Sequence, residues 1–146
     1  MNPPNQFKIS KTSRWPEWTK GGTLYYPFWL AYATSVLMES KHKPLLVDAI
    51  AKNLDFPMTL EKTQDFNPDI IVMESSTPSV HRDAQFADEL KKASDATVVF
   101  TGRHVTATTE GTLKSFKSID IVARGEYDYT ILDIANEMNN GQNLNE

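Results

Sequence analysis

The chain has no cysteine. Disulfides and thiolate-held zinc or iron-sulfur clusters are therefore excluded among its own residues, and a reducing compartment is expected. No Gly-x-Ser-x-Gly elbow, Walker loop or His-Glu-x-x-His motif occurs, which removes the common signatures of esterase, nucleotide and zinc-peptidase chemistry. No apolar run approaches the ~20 residues that span a bilayer, and Met1 to Gln6 has no signal-peptide core. The net charge of -4 is spread over interspersed acidic and basic residues, so no electrostatic footprint for nucleic acid is present. A cytoplasmic protein with neither a membrane nor a nucleic-acid partner is expected. Internal repeats and long low-complexity tracts are lacking as well.

What the chain does have is 146 residues with 40% hydrophobic content, enough for one domain that buries roughly two thirds of its unfolded surface. The most informative stretch runs from Asp69 to Ser79. Ile70-Ile71-Val72-Met73 reads as a strand buried on both faces, and the Ser75-Ser76-Thr77-Pro78-Ser79 segment behind it reads as a tight turn into a helix. Thr77 is expected to cap that helix and Pro78 to occupy its first turn.

Four further strands follow from the pattern. Phe7-Lys8-Ile9 precedes a long polar loop and is a first strand, while Leu45-Leu46-Val47, closed by Asp48, is a second. Thr97 to Phe100 and Ile119 to Ala123 are the last two. Between them lie a helix from Pro27 toward Lys41, helical residues from about Thr59 to Asp65, and a helix from Pro78 to about Ala93. In that last helix Arg82, Asp83, Asp88, Lys91 and Lys92 are expected to face water. A short helix from Thr109 to Phe116 and a final one from Tyr129 to Asn139 complete the set. Tyr25, Tyr26, Phe28, Trp29 and Tyr32 suggest either core packing of the first helix on the sheet or a stacking platform for a flat ligand, and packing is the expectation.

Strands alternating with helices predict an α/β, flavodoxin-like (Rossmann-type) five-stranded parallel sheet with helices on both faces. Ligands in such folds bind at the carboxyl ends of the strands. Three loops meet there: Ser75 to Ser79, Thr101 to His104, and Arg124 to Asp128. Their hydroxyls and backbone amides suit an extended ligand with many polar acceptors. Asp48 at a strand end resembles a ribose-binding acid, but the glycine fingerprint of dinucleotide sites is missing. Of the three histidines, His42 falls on the opposite edge and His81 on a solvated helix turn. His104, after Gly102, is placed to reach a ligand, and a metal site from all three is not expected. Gly125 permits close backbone approach, and Glu126 complements the amino terminus of the last helix.

Five segments together resemble a known family: Thr12-Ser13-Arg14-Trp15-Pro16-Glu17; Gly21 to Tyr32; Asn67-Pro68-Asp69-Ile70-Ile71-Val72; the Thr-Gly-x-His-Val-Thr turn from Thr101 to Thr106; and Val122-Ala123-Arg124-Gly125-Glu126-Tyr127-Asp128. In order and placement they are similar to the amino-terminal cobalamin-binding domain of cobalamin-dependent radical S-adenosylmethionine enzymes, over about residues 4–140. The resemblance implies a domain at residues 1–140 and a polar tail or interdomain linker at 141–146. It implies cobalamin held by Thr12, Ser13, Arg14, Ser75, Ser76, Thr77, Ser79, Thr101, Gly102, His104, Arg124, Gly125 and Glu126. The Asp-x-His-x-x-Gly motif that supplies a histidine to cobalt is absent, so a base-off cofactor without histidine ligation is implied. S-adenosylmethionine and the four-iron cluster would belong to a radical domain, acting in cis or in trans, because the Cys-x-x-x-Cys-x-x-Cys motif is not in this chain. Methyl transfer by the full enzyme is the implied activity, with no catalytic residue or metal ligand in this chain.

Two other classes share the architecture. A flavin mononucleotide protein would use Ser10-Lys11-Thr12-Ser13 as its phosphate loop, although the expected glycine and asparagine are missing there. A signalling or interaction module such as a phospho-receiver would need acidic residues where Ser10-Lys11 and Glu74-Ser75 stand.

Overall fold

The structure, a computed structural model, describes residues 1–12, 17–18 and 22–141. In chain order its elements are β1 (Ile9–Ser10), β2 (Glu17–Trp18), α1 (Phe28–Met38), α2 (Phe56–Phe66), β3 (Ile70–Glu74), α3 (Val80–Ala93), β4 (Thr97–Thr101), α4 (Arg103–Ala107), α5 (Thr109–Ser115), β5 (Ile121–Val122) and α6 (Asp128–Asn139). The β-branched runs pair as expected. Parallel β3 and β4 register from Ile70 opposite Thr97 to Glu74 opposite Thr101, and β5 adds Ile121 and Val122 beside Val99 and Phe100.

Alternation along these strands feeds two cores. Ile71, Met73, Val98 and Phe100 pack with Phe86, Leu90 and Val105 on one face of the sheet. Val99 and Ala123 pack with Leu30, Ala33, Tyr127 and Ile131 on the face covered by α1 and α6. Helices thus cover both faces, as the strand-helix alternation requires.

The expected count of five strands is corrected to three regular ones in the parallel sheet. Ile9 does enter a strand, but β1 pairs antiparallel with β2 in a separate ribbon. The place beside β3 is taken by the first two residues. Met1 donates from its amino group to Val72 O and accepts from Glu74 N, while Asn2 N donates to Val47 O and Ala49 N to Asn2 O. Pro3 and Pro4 have no N–H to continue that ladder, so the chain leaves the sheet after Asn2. Residues 45–47 form no regular strand, and together with residues 70–72 they line a cavity of about 700 Å³. The bridge from Asn2 to Asp48 is the segment's sheet contact among the described residues, and Leu46 packs on the core under α1 and α6.

Helix boundaries shift for local reasons. Asp55 Oδ1 accepts from Met58 N at 2.9 Å, which starts α2 before Thr59 with Pro57 tolerated in its first turn, and Asn67 ends it in the left-handed region at φ 48°. Thr77 caps nothing, because a turn through Ser79 precedes the helix and α3 begins at Val80. The α1 aromatics do not enter the core: Tyr26 is 66%, Tyr32 57% and Trp29 39% exposed. The helix turns Leu30 and Ala33 inward instead, and Phe28, Trp29 and Tyr32 stack on one another with centroids 4.8–6.3 Å apart. Among the described residues, no helix is long and apolar enough to cross a membrane.

The Met1 amino group is buried, and desolvation lowers its pKa from 8.0 to about 5. Between those values the amino group binds fewer protons in the folded state than in the unfolded one, so its contribution to stability rises with pH from about 5 to 8 and levels off above. Urea midpoints at pH 5.5 and 8 check this, and acetylating the α-amino group should flatten the difference.

Candidate functional site

The carboxyl edge of the sheet is held together by a buried ion pair. Lys11 Nζ lies 2.7 Å from Asp83 Oδ1, and both side chains are fully buried. The other carboxylate oxygen accepts from Ser75 Oγ and Ser79 Oγ, each at 2.7 Å. Ser76 Oγ and Ser79 Oγ are 2.9 Å apart, and Ser76 N donates to Ser79 Oγ. Lys11 also donates to Glu74 O at 3.4 Å. One carboxylate thereby ties the segment after β1, the end of β3 and the first turn of α3. Burial lowers the Lys11 pKa, with the Asp83 charge and hydrogen bond opposing the shift.

This network corrects the expectation that Asp83 faces water, since its side chain has no exposure. The signal was present in the spacing: Ser79 and Asp83 stand four apart, which puts them on one helix face. It also accounts for the loop hydroxyls proposed for ligand. Those of Ser75, Ser76 and Ser79 are buried and engaged with protein. Thr77, by contrast, is exposed and meets His104, with Oγ1 3.2 Å from Nδ1.

Gly102 follows β4 at φ +110°, and a Cβ there would stand 2.3 Å from Ser75 O. The glycine lets the second loop close against the first, aided by the bond from Ser75 N to Thr101 O at 2.9 Å. Gly125, at φ +67°, has nothing within 4 Å of where a Cβ would be, and its N–H donates to Thr106 Oγ1. Arg124 and Glu126 are exposed beside it. The three loops therefore do converge, with Thr77, His104, Arg124, Gly125 and Glu126 accessible. Thr12 is buried, and Ser13 and Arg14 lie outside the described residues, as do residues 142–146 of the expected tail.

His42 is on the other edge, with Nε2 3.0 Å from Asn136 Oδ1. His81 is exposed against Phe116. No group of side chains able to hold a metal occurs among the described residues. The segment considered as a flavin phosphate loop is committed elsewhere: Ser10 Oγ accepts from Tyr25 N and Lys11 is held by Asp83.

A family model described as the B12 binding domain matches residues 19–135. The chain belongs to the B12-binding domain family. It is 31% identical over 124 residues to Uncharacterized methyltransferase PH0819 of Pyrococcus horikoshii, covering 84% of this chain and 27% of that protein. It is 28% identical over 120 residues to the anaerobic magnesium-protoporphyrin IX monomethyl ester cyclase of Rubrivivax gelatinosus, covering 80% of this chain and 21% of that protein. The chain thus spans about a quarter of the length of these relatives. No solved structure matches it. As a B12-binding domain the chain has a flavodoxin-like α/β fold, and its site residues suit a large polar cofactor. Gly125 leaves its outer side open, and buried polar atoms of Glu74 and Thr101 at the same edge have no protein partner.

Replacing Asp83 by Leu should lower stability by about 3–5 kcal/mol, because Lys11 is left buried without its partner. The double variant Lys11→Met/Asp83→Leu should recover much of that loss in urea unfolding, and equal losses would show that the charge pairing is not the cause. Gly102→Ala should cost at least about 2 kcal/mol through the contact with Ser75 O and the positive φ.

Proposed function

We propose that this B12-binding domain carries cobalamin for a radical S-adenosylmethionine enzyme that transfers a methyl group, with the radical chemistry in another domain, in cis or in trans, in the cytoplasm. The carrying observation is the family match along residues 19–135, which includes all three loops of the carboxyl edge. Methyl transfer is favoured by the relative named as a methyltransferase. The absence of cysteine from this chain assigns the iron-sulfur cluster of such an enzyme to the other domain.

When bound, cobalamin supplies a cobalt centre able to carry a methyl group. The chain's own residues bind and orient it. Gly125 lets the corrin approach the backbone, Arg124 and Glu126 flank it, and Thr77 with His104 offer a hydroxyl and a ring nitrogen from the two neighbouring loops. The Ser75, Ser76, Ser79 and Asp83 network fixes the loop backbone on which those contacts depend. The resemblance implies a base-off cofactor, and the Asp-x-His-x-x-Gly motif that would supply a histidine to cobalt is absent from this chain.

Titration with hydroxocobalamin, followed by absorbance and by heat, should give saturable one-to-one binding with a shift to the base-off spectrum. Absence of both signals in the folded chain would refute the reading. Gly125→Val, which fills the open side of that loop and strains its backbone at φ +67°, should weaken binding at least tenfold, roughly 1.4 kcal/mol, while the fold is retained by circular dichroism.

A further inference from the structure

Asn2 Oδ1, Glu74 Oε2, Thr101 Oγ1 and the Tyr127 hydroxyl are buried polar atoms without a hydrogen-bond partner. Their residues are 5%, 4%, 0% and 6% exposed. Buried polar groups in folded proteins are almost always paired, and an isolated exception is ordinary. Four at one place are not.

The sheet register shows that they share a place. Glu74 is opposite Thr101. The bonds from Met1 to Val72 O and from Glu74 N to Met1 O put Met1 opposite Met73, and therefore Asn2 opposite Glu74. Asn2 in turn bridges to Asp48. Opposed residues of a parallel ladder point to the same face. That face is the one shared by Val72 and Val99, two residues earlier on each strand, which pack with Tyr127 under α1 and α6. Asp48, Asn2, Glu74 and Thr101 thus form a polar rank across the carboxyl edge, with Tyr127 in the same cluster as its floor. The Lys11 and Asp83 network joins Ser75 and the first turn of α3, which packs on the opposite face, and it is satisfied.

The chemistry of the rank narrows the ligand group. Asn2 Nδ2 donates to Asp48 Oδ1 at 2.8 Å, so its Oδ1 remains an acceptor. Glu74 adds carboxyl oxygens, and burial raises its pKa. Thr101 and Tyr127 add hydroxyls that donate or accept. Acidic Asp48 and Glu74 disfavour an anion. A neutral group that both donates and accepts satisfies the set, namely a primary carboxamide or a sugar hydroxyl.

We propose that the rank of Asn2, Glu74, Thr101 and Tyr127 is a ligand subsite that takes such a neutral carboxamide or hydroxyl group of the bound corrinoid. It rests on the corrinoid reading above. The residues belong to strand ends and to the start of α6, apart from the exposed loop contacts named there, and their unpaired state in the free protein is relieved on binding.

Tyr127→Phe and Thr101→Val each delete one hydroxyl and keep the shape. The free variants should melt at or a few degrees above the unmodified chain, since each loses an orphaned polar group. Their affinity for hydroxocobalamin should fall at least fivefold. Cobinamide, which keeps the corrin amides and lacks the ribose, separates the sources: an equal loss assigns a carboxamide, and a loss confined to cobalamin assigns the sugar. Unchanged affinity for both ligands in variants of a chain that binds, or a lower melting temperature of both free variants, overturns the proposal. If the unmodified chain binds neither ligand, the corrinoid reading falls, and this assignment with it.

Discussion

The pairing of Lys11 with Asp83 is the interaction on which the carboxyl edge depends. Two opposite charges taken fully out of water are tolerated only when geometry and extra hydrogen bonds offset the desolvation. Here Ser75 and Ser79 fill the second carboxylate oxygen, and the lysine reaches Glu74 O. The segment after β1 is thereby fixed to the end of β3 and the start of α3, across 72 positions of sequence. The loop after β3 therefore holds its shape without a ligand, and its backbone is presented as a rigid floor.

The two faces of the sheet end differently at this edge. Toward α3 the polar groups are mutually satisfied, and Gly102 closes the second loop onto the first because nothing larger fits against Ser75 O. Toward α1 and α6 the polar groups of the strand ends are left without partners. A satisfied network confers rigidity, and an unsatisfied one confers appetite for a complementary group. A large amphipathic cofactor needs both, a stable ledge and places where its polar periphery is recognised. The exposed ring cluster of Phe28, Trp29 and Tyr32 on α1 adds an apolar surface that the fold itself does not cover.

Much of this was legible in the residues. Ile70 to Met73 and Thr97 to Phe100 announced buried parallel strands, and the small and hydroxyl residues behind them announced the loops, because burial on both faces erases alternation and a strand-to-helix turn demands such residues. The family was legible for the same reason, since its motifs sit in those turns. The partner strand for residues 45–47 was not. The burial of Asp83 was legible only in its four-residue spacing from Ser79, because its neighbours Arg82 and Asp88 made it look like one more solvated charge.

The sequence by itself determined which segments are strands and helices in the central and carboxyl-terminal parts, and which loops meet at the carboxyl edge of the sheet, because those depend on local pattern and turn chemistry. Only the tertiary structure decided which polar side chains are spent inside the protein and which are left over. Hydrogen-bond satisfaction is a property of neighbours distant in sequence. Lys11 meets Asp83 across 72 positions, and Asn2 stands beside Glu74 only because the sheet places two remote strand ends in register.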